Sequence, residues 1–391
     1  MILSLLAAIG AAPVFWLLVP QRYRKNGLAV ISVLALGLYD LRLPPVVLAL
    51  VALLYLATRM IARTSRNSGW WISFAGLACL ALLFAVNKSF IHGNAFVAVA
   101  SQGGLALLGV SYFVLKAASI LIETSRRNLA APTFSSLARW LLFFPIFASG
   151  PIESFKHFDD QEPKADIGRM MLGLERILFG SVRALLFAHY LTTWTTPILA
   201  DPAASSRPVL LLAMYALSLR VYFDFAGYSD IAIGLSALYG YEIQENFDRP
   251  LTQRNIVALW QRWHMTLTGW LRIYIFTPYA RVLMKRGSAW HRPAALTGQI
   301  VTMAVCGIWH DVTAPFLAWG VLHGVALAWT STYAREFGRT LPAGLVGWWR
   351  QSRTAYAAST LITLTAFCAI NILSFASIGH TARFFGALLG P

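Results

Sequence analysis

MAVCGIWHDVTAPFLAWGVLHG, residues 303–324, holds two apolar runs separated by the polar interruption HDVTAP at 310–315. The first run starts near Pro293 and reaches His310 after about 17 residues, roughly 25 Å of helix, against a hydrocarbon core of about 30 Å. Asp311, Thr313 and Pro315 then end that helix and open the next. His310 is therefore expected at a helix break close to membrane depth. An ionisable group there costs a few kcal/mol on insertion scales, so it faces an interior path or another polar group, and it is a functional candidate by default. His323 lies on the following helix and reads as a packed or hydrogen-bonding histidine.

The same apolar character extends along the chain. Of its 391 residues, 58% are hydrophobic and 12% charged, and the mean hydropathy is +0.61, above what a soluble domain of this length shows. Apolar stretches approaching the roughly 20 residues that cross a bilayer recur at 1–20, 27–41, 43–58, 69–86, 94–122, 176–199, 207–223 and 354–376. The expected class is an all-α integral membrane protein. The first stretch has no Lys or Arg ahead of it and QRYRKN (21–26) directly after, the pattern of a retained helix with its N-terminus outside.

A net charge of +16 would suggest nucleic acid in a soluble protein. Here the basic residues sit in short connections, QRYRKN, RMIARTSRN (59–67) and ETSRRN (123–128), which fall on one side, while NKSFIHGN (87–94) falls opposite with less charge. That is the positive-inside pattern, and it places the basic loops in the cytoplasm, where they meet anionic lipid or an acidic soluble partner. Cys79, Cys306 and Cys368 each lie inside apolar stretches and read as core residues. No HExxH or paired-cysteine spacing points to a metal, and no GxSxG elbow or P-loop is present.

No linker or repeat divides the chain, so residues 1–391 read as one helical membrane domain with its core motifs at 109–324. FFPIFASGPIESFKHFDDQEPKADIGR (143–169) interrupts it, because Pro145, Gly150 and Pro151 stop a helix. Backbone released at membrane depth must be buried in protein or line a watery cavity, so a re-entrant or surface-lying segment is expected.

Residues 222–323 are more polar than their flanks and hold the remaining candidates. VYFDFAGYSDIAIG (221–234) places Asp224 and Asp230 in an apolar helix, roughly 240° apart around its axis, whereas Asp224 and Tyr228 share a face. Interhelical hydrogen bonding and the lining of a reaction chamber are both open to these residues. YGYEIQENFDRPLTQRN (239–255) reads as a polar connection containing Asn246, on the cytoplasmic side, that also shapes access for a donor. ALWQRWHMTLTGWLRIYIF (258–276) is helical in composition, with Trp260, Trp263, His264 and Leu267 on one face, as in an amphipathic element near the membrane surface. For His264, structural hydrogen bonding and direct chemistry both stand.

At these residues the chain resembles the membrane-bound O-acyltransferase family, in its branch of alginate O-acetylases and teichoic-acid D-alanyl transfer proteins. The likeness rests on ordered motifs: LLVPQRYRK (17–25), GVSYFVLKAASILIE (109–123), FFPIFASGPI (143–152), YFDFAGYSDIAIG, ENFDRPL (245–251), WQRWHMTL (260–267) and GIWHD with WGVLHG (307–324). It implies a bundle of about 10–11 transmembrane helices, with re-entrant and interfacial pieces, around a central tunnel in a bacterial cytoplasmic membrane. It also implies that His310, in the family's WHG motif, is catalytic, with His264 as the second histidine. Asp224, Tyr228, Asn246, Trp263 and Trp309 are the residues expected to meet substrate. Three features depart from the pattern: Asp311 replaces the glycine of WHG, Ile273 replaces the acid of an RDY motif, and PYARVLMKRG (278–287) replaces a PLGG stretch. The SGPI segment, WHM and the short length lean toward the D-alanyl type.

The expected reaction moves a D-alanyl or acetyl group from a cytoplasmic thioester, on an acyl-carrier protein or acyl-CoA, to a hydroxyl of an extracytoplasmic glycopolymer or partner protein. No bound cofactor, metal or nucleic acid is expected, and membrane lipid and an extracytoplasmic SGNH-type acyltransferase are among the expected partners. Two other classes fit the same residues: a transporter or channel for an acylated carrier, and a docking subunit without chemistry of its own.

Overall fold

The computed structural model describes residues 2–91, 109–340 and 342–390, and every regular element among them is a helix. The part of the 94–122 run before residue 109 lies outside the described residues. In chain order, α1 (Ile2–Leu18), α2 (Arg24–Tyr39), α3 (Leu43–Arg63), α4 (Arg66–Ile91), α5 (Val110–Ser125), α6 (Phe134–Leu142), α7 (Phe155–Asp159) and α8 (Ile167–Ser181) come first. A π-helical stretch, Val182–Phe187, joins α8 to α9 (Ala188–Ala200), and α10 (Arg207–Leu238) follows. After a long connection come α11 (Ile256–Arg262), α12 (Met265–Leu271), α13 (Thr277–Met284), α14 (His291–His310), α15 (Ala314–Thr340), α16 (Ala343–Gln351), α17 (Arg353–Asn371) and α18 (Ile378–Leu389).

Among the described residues, four helical stretches are long and apolar enough to cross a membrane: Leu43–Arg63, Arg66–Lys88, Arg207–Leu238 and Arg353–Ser374. Their outward faces are apolar, as at Leu53, Leu56, Phe74, Leu82, Leu361 and Ile362. In water such faces would be a liability, whereas against lipid tails they cost nothing. The chain divides into two compact units, residues 1–180 with 228–244, and residues 181–227 with 245–391.

In the first unit the core is aromatic. Phe158 stacks on Tyr241 at 4.5 Å, and Phe143 packs against both. The first part of the 143–169 segment, through Glu153, is buried in protein, as its prolines and glycine require: Phe143, Ile146, Phe147 and Ile152 all have little or no exposure, whereas most residues from Ser154 to Arg169 are exposed. Its released backbone is met by side chains. Buried Glu153 accepts from the backbone N–H of Ser154 and of Gln244, both at 3.0 Å, and pairs with His157 Nδ1 at 2.8 Å. Trp140 donates its indole N–H to the Glu153 carbonyl at 3.0 Å. Between α8 and the end of α10, Asp230 pairs with Arg176 at 3.0 Å, so the interhelical role open to that acid is the one it fills.

In the second unit α14 and α15 form a close antiparallel pair joined by residues 311–313. A Cβ added to Gly320 would run into the carbonyl of Met303, and one at Gly307 into that of Phe316, so glycine is what permits this approach. The helix break foreseen at 311–315 is in place, with His310 the last residue of α14.

Four expectations need correction. Residues 258–276 are not one helix: α11 ends at Arg262, Trp263 is extended and His264 is left-handed, with φ +42°. Nor is this an exposed interfacial element, because Trp260, Trp263 and His264 are 6%, 6% and 2% exposed. Cys79 is exposed on α4, whereas Cys306 and Cys368 are buried. Finally, much of the basic "loop" sequence is helical: Arg59 and Arg63 lie on α3, Arg66 opens α4, and Asn87–Ile91 continue it. Long basic side chains at a helix C-terminus suit its dipole and can extend toward water, so they need not end the helix.

Gly320→Ala is expected to lower stability by about 1–3 kcal/mol through overpacking. Gly344→Ala, where an added Cβ meets nothing within 4 Å, should not. Thermal unfolding in detergent compares the two.

Candidate active site

The second unit gathers three buried or half-buried histidines, each placed by a different device. His264 is placed by a loop. Asn246, fully buried in the 239–255 connection, accepts at Oδ1 from the Thr266 hydroxyl at 2.7 Å and the Thr266 N–H at 3.4 Å, and lies 3.1 Å from His264 Nδ1. The Asn246 carbonyl also accepts from Met265 N–H at 2.9 Å, and Asp248 N–H donates to the Arg262 carbonyl at 3.1 Å. Arg262 and Asp248 close the loop with an ion pair at 2.7 Å. These bonds replace helical ones where the chain turns through His264. An oxygen that accepts from a hydroxyl and an amide is an acceptor toward the imidazole too, so His264 carries its proton on Nδ1 and its lone pair on Nε2. His264 lies between two seven-residue helices, outside the four long apolar ones. Burial, and secondly the neighbouring His310, hold its pKa well below 6.5.

His310 is placed by a helix end. It is partly exposed and surrounded by aromatic rings: Trp309 at 4.8 Å, Trp319 at 5.3 Å and Phe316 stacked at 6.0 Å. Trp309 also meets His264, with ring centroids 6.2 Å apart. One indole is thus shared by the two histidines, and Phe225 of α10 covers the other side of His264 at 4.6 Å. Asp311 is 8% exposed and accepts from the Thr313 hydroxyl at 3.3 Å.

His323 is placed by a buried polar network. The Trp260 indole, which can only donate, reaches its Nδ1 at 3.4 Å, so Nε2 bears the proton and donates to Asn371 Oδ1 at 3.3 Å. Trp319 donates to the same oxygen at 2.9 Å, and Asn371 donates to Ser218 at 3.2 Å. The reading of His323 as a hydrogen-bonded core residue holds, and this tie between α10, α15 and α17 is what sequence spacing does not reveal.

The other expected residues separate. Asp224 is exposed on α10. Tyr228 belongs to the first unit, beside Gly150 and Ser149. Trp263 is wedged against Phe247 and Phe367, each at 5.2 Å, and is 6% exposed. Asn246 is fully buried and lies 3.1 Å from His264 Nδ1. Among the described residues, no three His, Cys, Asp or Glu side chains come together as metal ligands.

The model of the membrane-bound O-acyltransferase family matches residues 47–375. The chain is 30% identical over 285 residues to a teichoic acid D-alanyltransferase of Streptococcus thermophilus, covering 70% of this chain and 67% of that protein. A teichoic acid D-alanyltransferase of Bacillus subtilis is 30% identical over 57% of this chain and 58% of its own length. A probable alginate O-acetylase AlgI of Azotobacter vinelandii is 31% identical over 56% of this chain and 44% of its own length. The matched stretch thus spans from two thirds to less than half of these relatives. The chain belongs to the membrane-bound O-acyltransferase family.

Asn371→Leu leaves the Trp319 and His323 donors buried without an acceptor. It is expected to cost about 1–3 kcal/mol for each unsatisfied group, measured as a fall in unfolding temperature in detergent.

Proposed function

We propose that the protein is a multi-pass enzyme of the bacterial cytoplasmic membrane. It moves a D-alanyl or acetyl group from a cytoplasmic thioester, on an acyl-carrier protein or acyl-CoA, to a hydroxyl of an extracytoplasmic glycopolymer or partner protein. The supporting observation is the placement of His310: the terminal residue of α14, partly exposed, ringed by Trp309, Phe316 and Trp319 and sharing Trp309 with His264. The family's implied tunnel would bring donor and acceptor to this imidazole from opposite sides.

In this reading His310 accepts the proton of the acceptor hydroxyl as the oxygen attacks the thioester carbonyl carbon. The tetrahedral intermediate collapses with cleavage of the C–S bond, and the thiolate takes the proton back from the imidazolium, leaving ester and thiol. An imidazole suits both transfers because its unperturbed pKa, about 6.5, is near the working pH. The carbonyl end of α14 favours the positive charge that appears on His310 during the step, and the aromatic ring walls limit access of water that would hydrolyse the thioester. A side-chain donor, the Trp309 indole N–H or the Tyr228 hydroxyl, would stabilise the oxyanion that forms, a role of oxyanion-hole type. Asp311, beside the base, adds a carboxylate that other chains with glycine there lack.

His310→Ala is expected to lower transfer by about 10²-fold or more while the unfolding temperature stays near that of the unmodified protein. The assay uses purified protein in liposomes with a labelled acyl thioester, followed by mass spectrometry. Transfer to a hydroxyl supports the enzyme, movement of an unchanged donor supports a transporter, and near-normal turnover of the variant removes His310 from the chemistry.

A further inference from the structure

We propose that Asn246 is a positioning residue that sets the tautomer of His264 and, through the shared Trp309 ring, steadies the His310 end of α14. The inference rests on the acyl-transfer reading above for its effect on rate, but the tautomer it assigns does not depend on that reading.

The starting observation is the backbone of His264. A non-glycine residue at φ +42° is uncommon and strained, so it persists only where its surroundings hold it. Asn246 is the residue that bonds the turn most widely: it uses its carbonyl on Met265 N–H and its side-chain oxygen on Thr266 N–H, Thr266 Oγ1 and His264 Nδ1, at 2.9, 3.4, 2.7 and 3.1 Å, and Thr268 N–H donates to the His264 carbonyl at 2.9 Å. The residue at the turn and the two after it are thereby tied to fully buried Asn246.

The chemical consequence follows from the acceptor character of that oxygen. With Nδ1–H directed at Asn246, the lone pair of His264 is confined to Nε2. Rotation of the ring would break the Asn246 bond, and Phe225 at 4.6 Å obstructs it. This is the relation of an imidazole to the residue that orients it in acyl-transfer enzymes generally: the orienting group selects the tautomer and takes no part in bond making. From His264 the constraint passes to Trp309 at 6.2 Å and from Trp309 to His310 at 4.8 Å. An amide suits the task better than a carboxylate. It accepts the Nδ1–H bond without stabilising an imidazolium, so His264 stays neutral beside a catalytic imidazole that must become charged.

The groups facing His264 bear this out. The 239–255 loop presents Asn246, α10 presents Phe225, α12 presents Thr266, and α14 presents Trp309 with His310, the titratable group that acts on His264 electrostatically. In the loop Asp248 is paired with Arg262 at 2.7 Å and with Arg249 at 3.6 Å.

Two substitutions in the full-length protein test the idea. Asn246→Asp keeps an acceptor oxygen for all three donors but adds a charge, which favours imidazolium at His264. Its acidic limb in the pH–rate profile is therefore expected to move to higher pH by about one unit or more. Asn246→Leu keeps the volume and removes the acceptor, and kcat is expected to fall about tenfold with little change in KM. Nitrogen-15 spectra of histidine-labelled protein in detergent, with His264→Ala used to assign the resonance, read the tautomer directly. The unmodified protein should show His264 protonated at Nδ1.

A His264 signal from the Nε2–H tautomer in the unmodified protein overturns the proposal, even if turnover is normal. So does an unshifted pH profile in Asn246→Asp, or full kcat in Asn246→Leu. Failure of Asn246→Asp to fold also counts against it, since Asn246 would then serve stability and not positioning. If the spectra agree but His310→Ala stays active, the positioning of His264 stands and the general-base reading of His310 falls.

Discussion

Every backbone N–H and C=O that lies away from water must find a partner within the chain, and this requirement organises the molecule. Along α3, α4, α10 and α17 the helix meets it unaided, so the side chains are free to be apolar on the outside. Where the helix stops, side chains take over. Glu153 and Trp140 do so for the segment after Phe143, and Asn246 does so for the turn at His264. Glu153 and Asn246 are buried polar residues placed where regular hydrogen bonding fails, and the candidate active site is one such place.

Close packing and chemistry are linked in the second unit. Gly307 and Gly320 let α14 and α15 approach until backbone nearly touches backbone. That approach sets Trp319 against His310 at 5.3 Å, while His323, one turn further along α15, lies 4.7 Å from the same indole. The three histidines then differ by environment. His323 is satisfied at both ring nitrogens by a buried network, His264 is oriented by an amide, and His310 is the partly exposed one. Equal side chains at comparable depth in sequence hydropathy have come to occupy separate roles because their hydrogen-bond partners differ.

The sequence carried a good deal of this. The membrane class, the break after His310, the buried non-helical stretch around Gly150 and the packed state of His323 were all legible, because each follows from local rules: apolar length, proline and glycine placement, and the cost of burying a charge. The ordered motifs likewise indicated the family that the 47–375 match shows. The helix reading of 258–276 failed for an equally physical reason. Its composition favours helix throughout, and the bonds that break it come from Asn246, 18 residues before His264.

By itself, then, the amino-acid order determined which segments can leave water and where they cannot remain helical, since hydropathy and backbone chemistry act over a few residues. Only the tertiary structure decided what each polar side chain faces. Asp230 meets Arg176, Trp263 is buried against Phe247 and Phe367, and Asn246 turns from a loop residue into the partner of His264. Such pairings depend on hydrogen bonds only a few tenths of an ångström broad in tolerance, between residues far apart in the chain, and no local pattern encodes them.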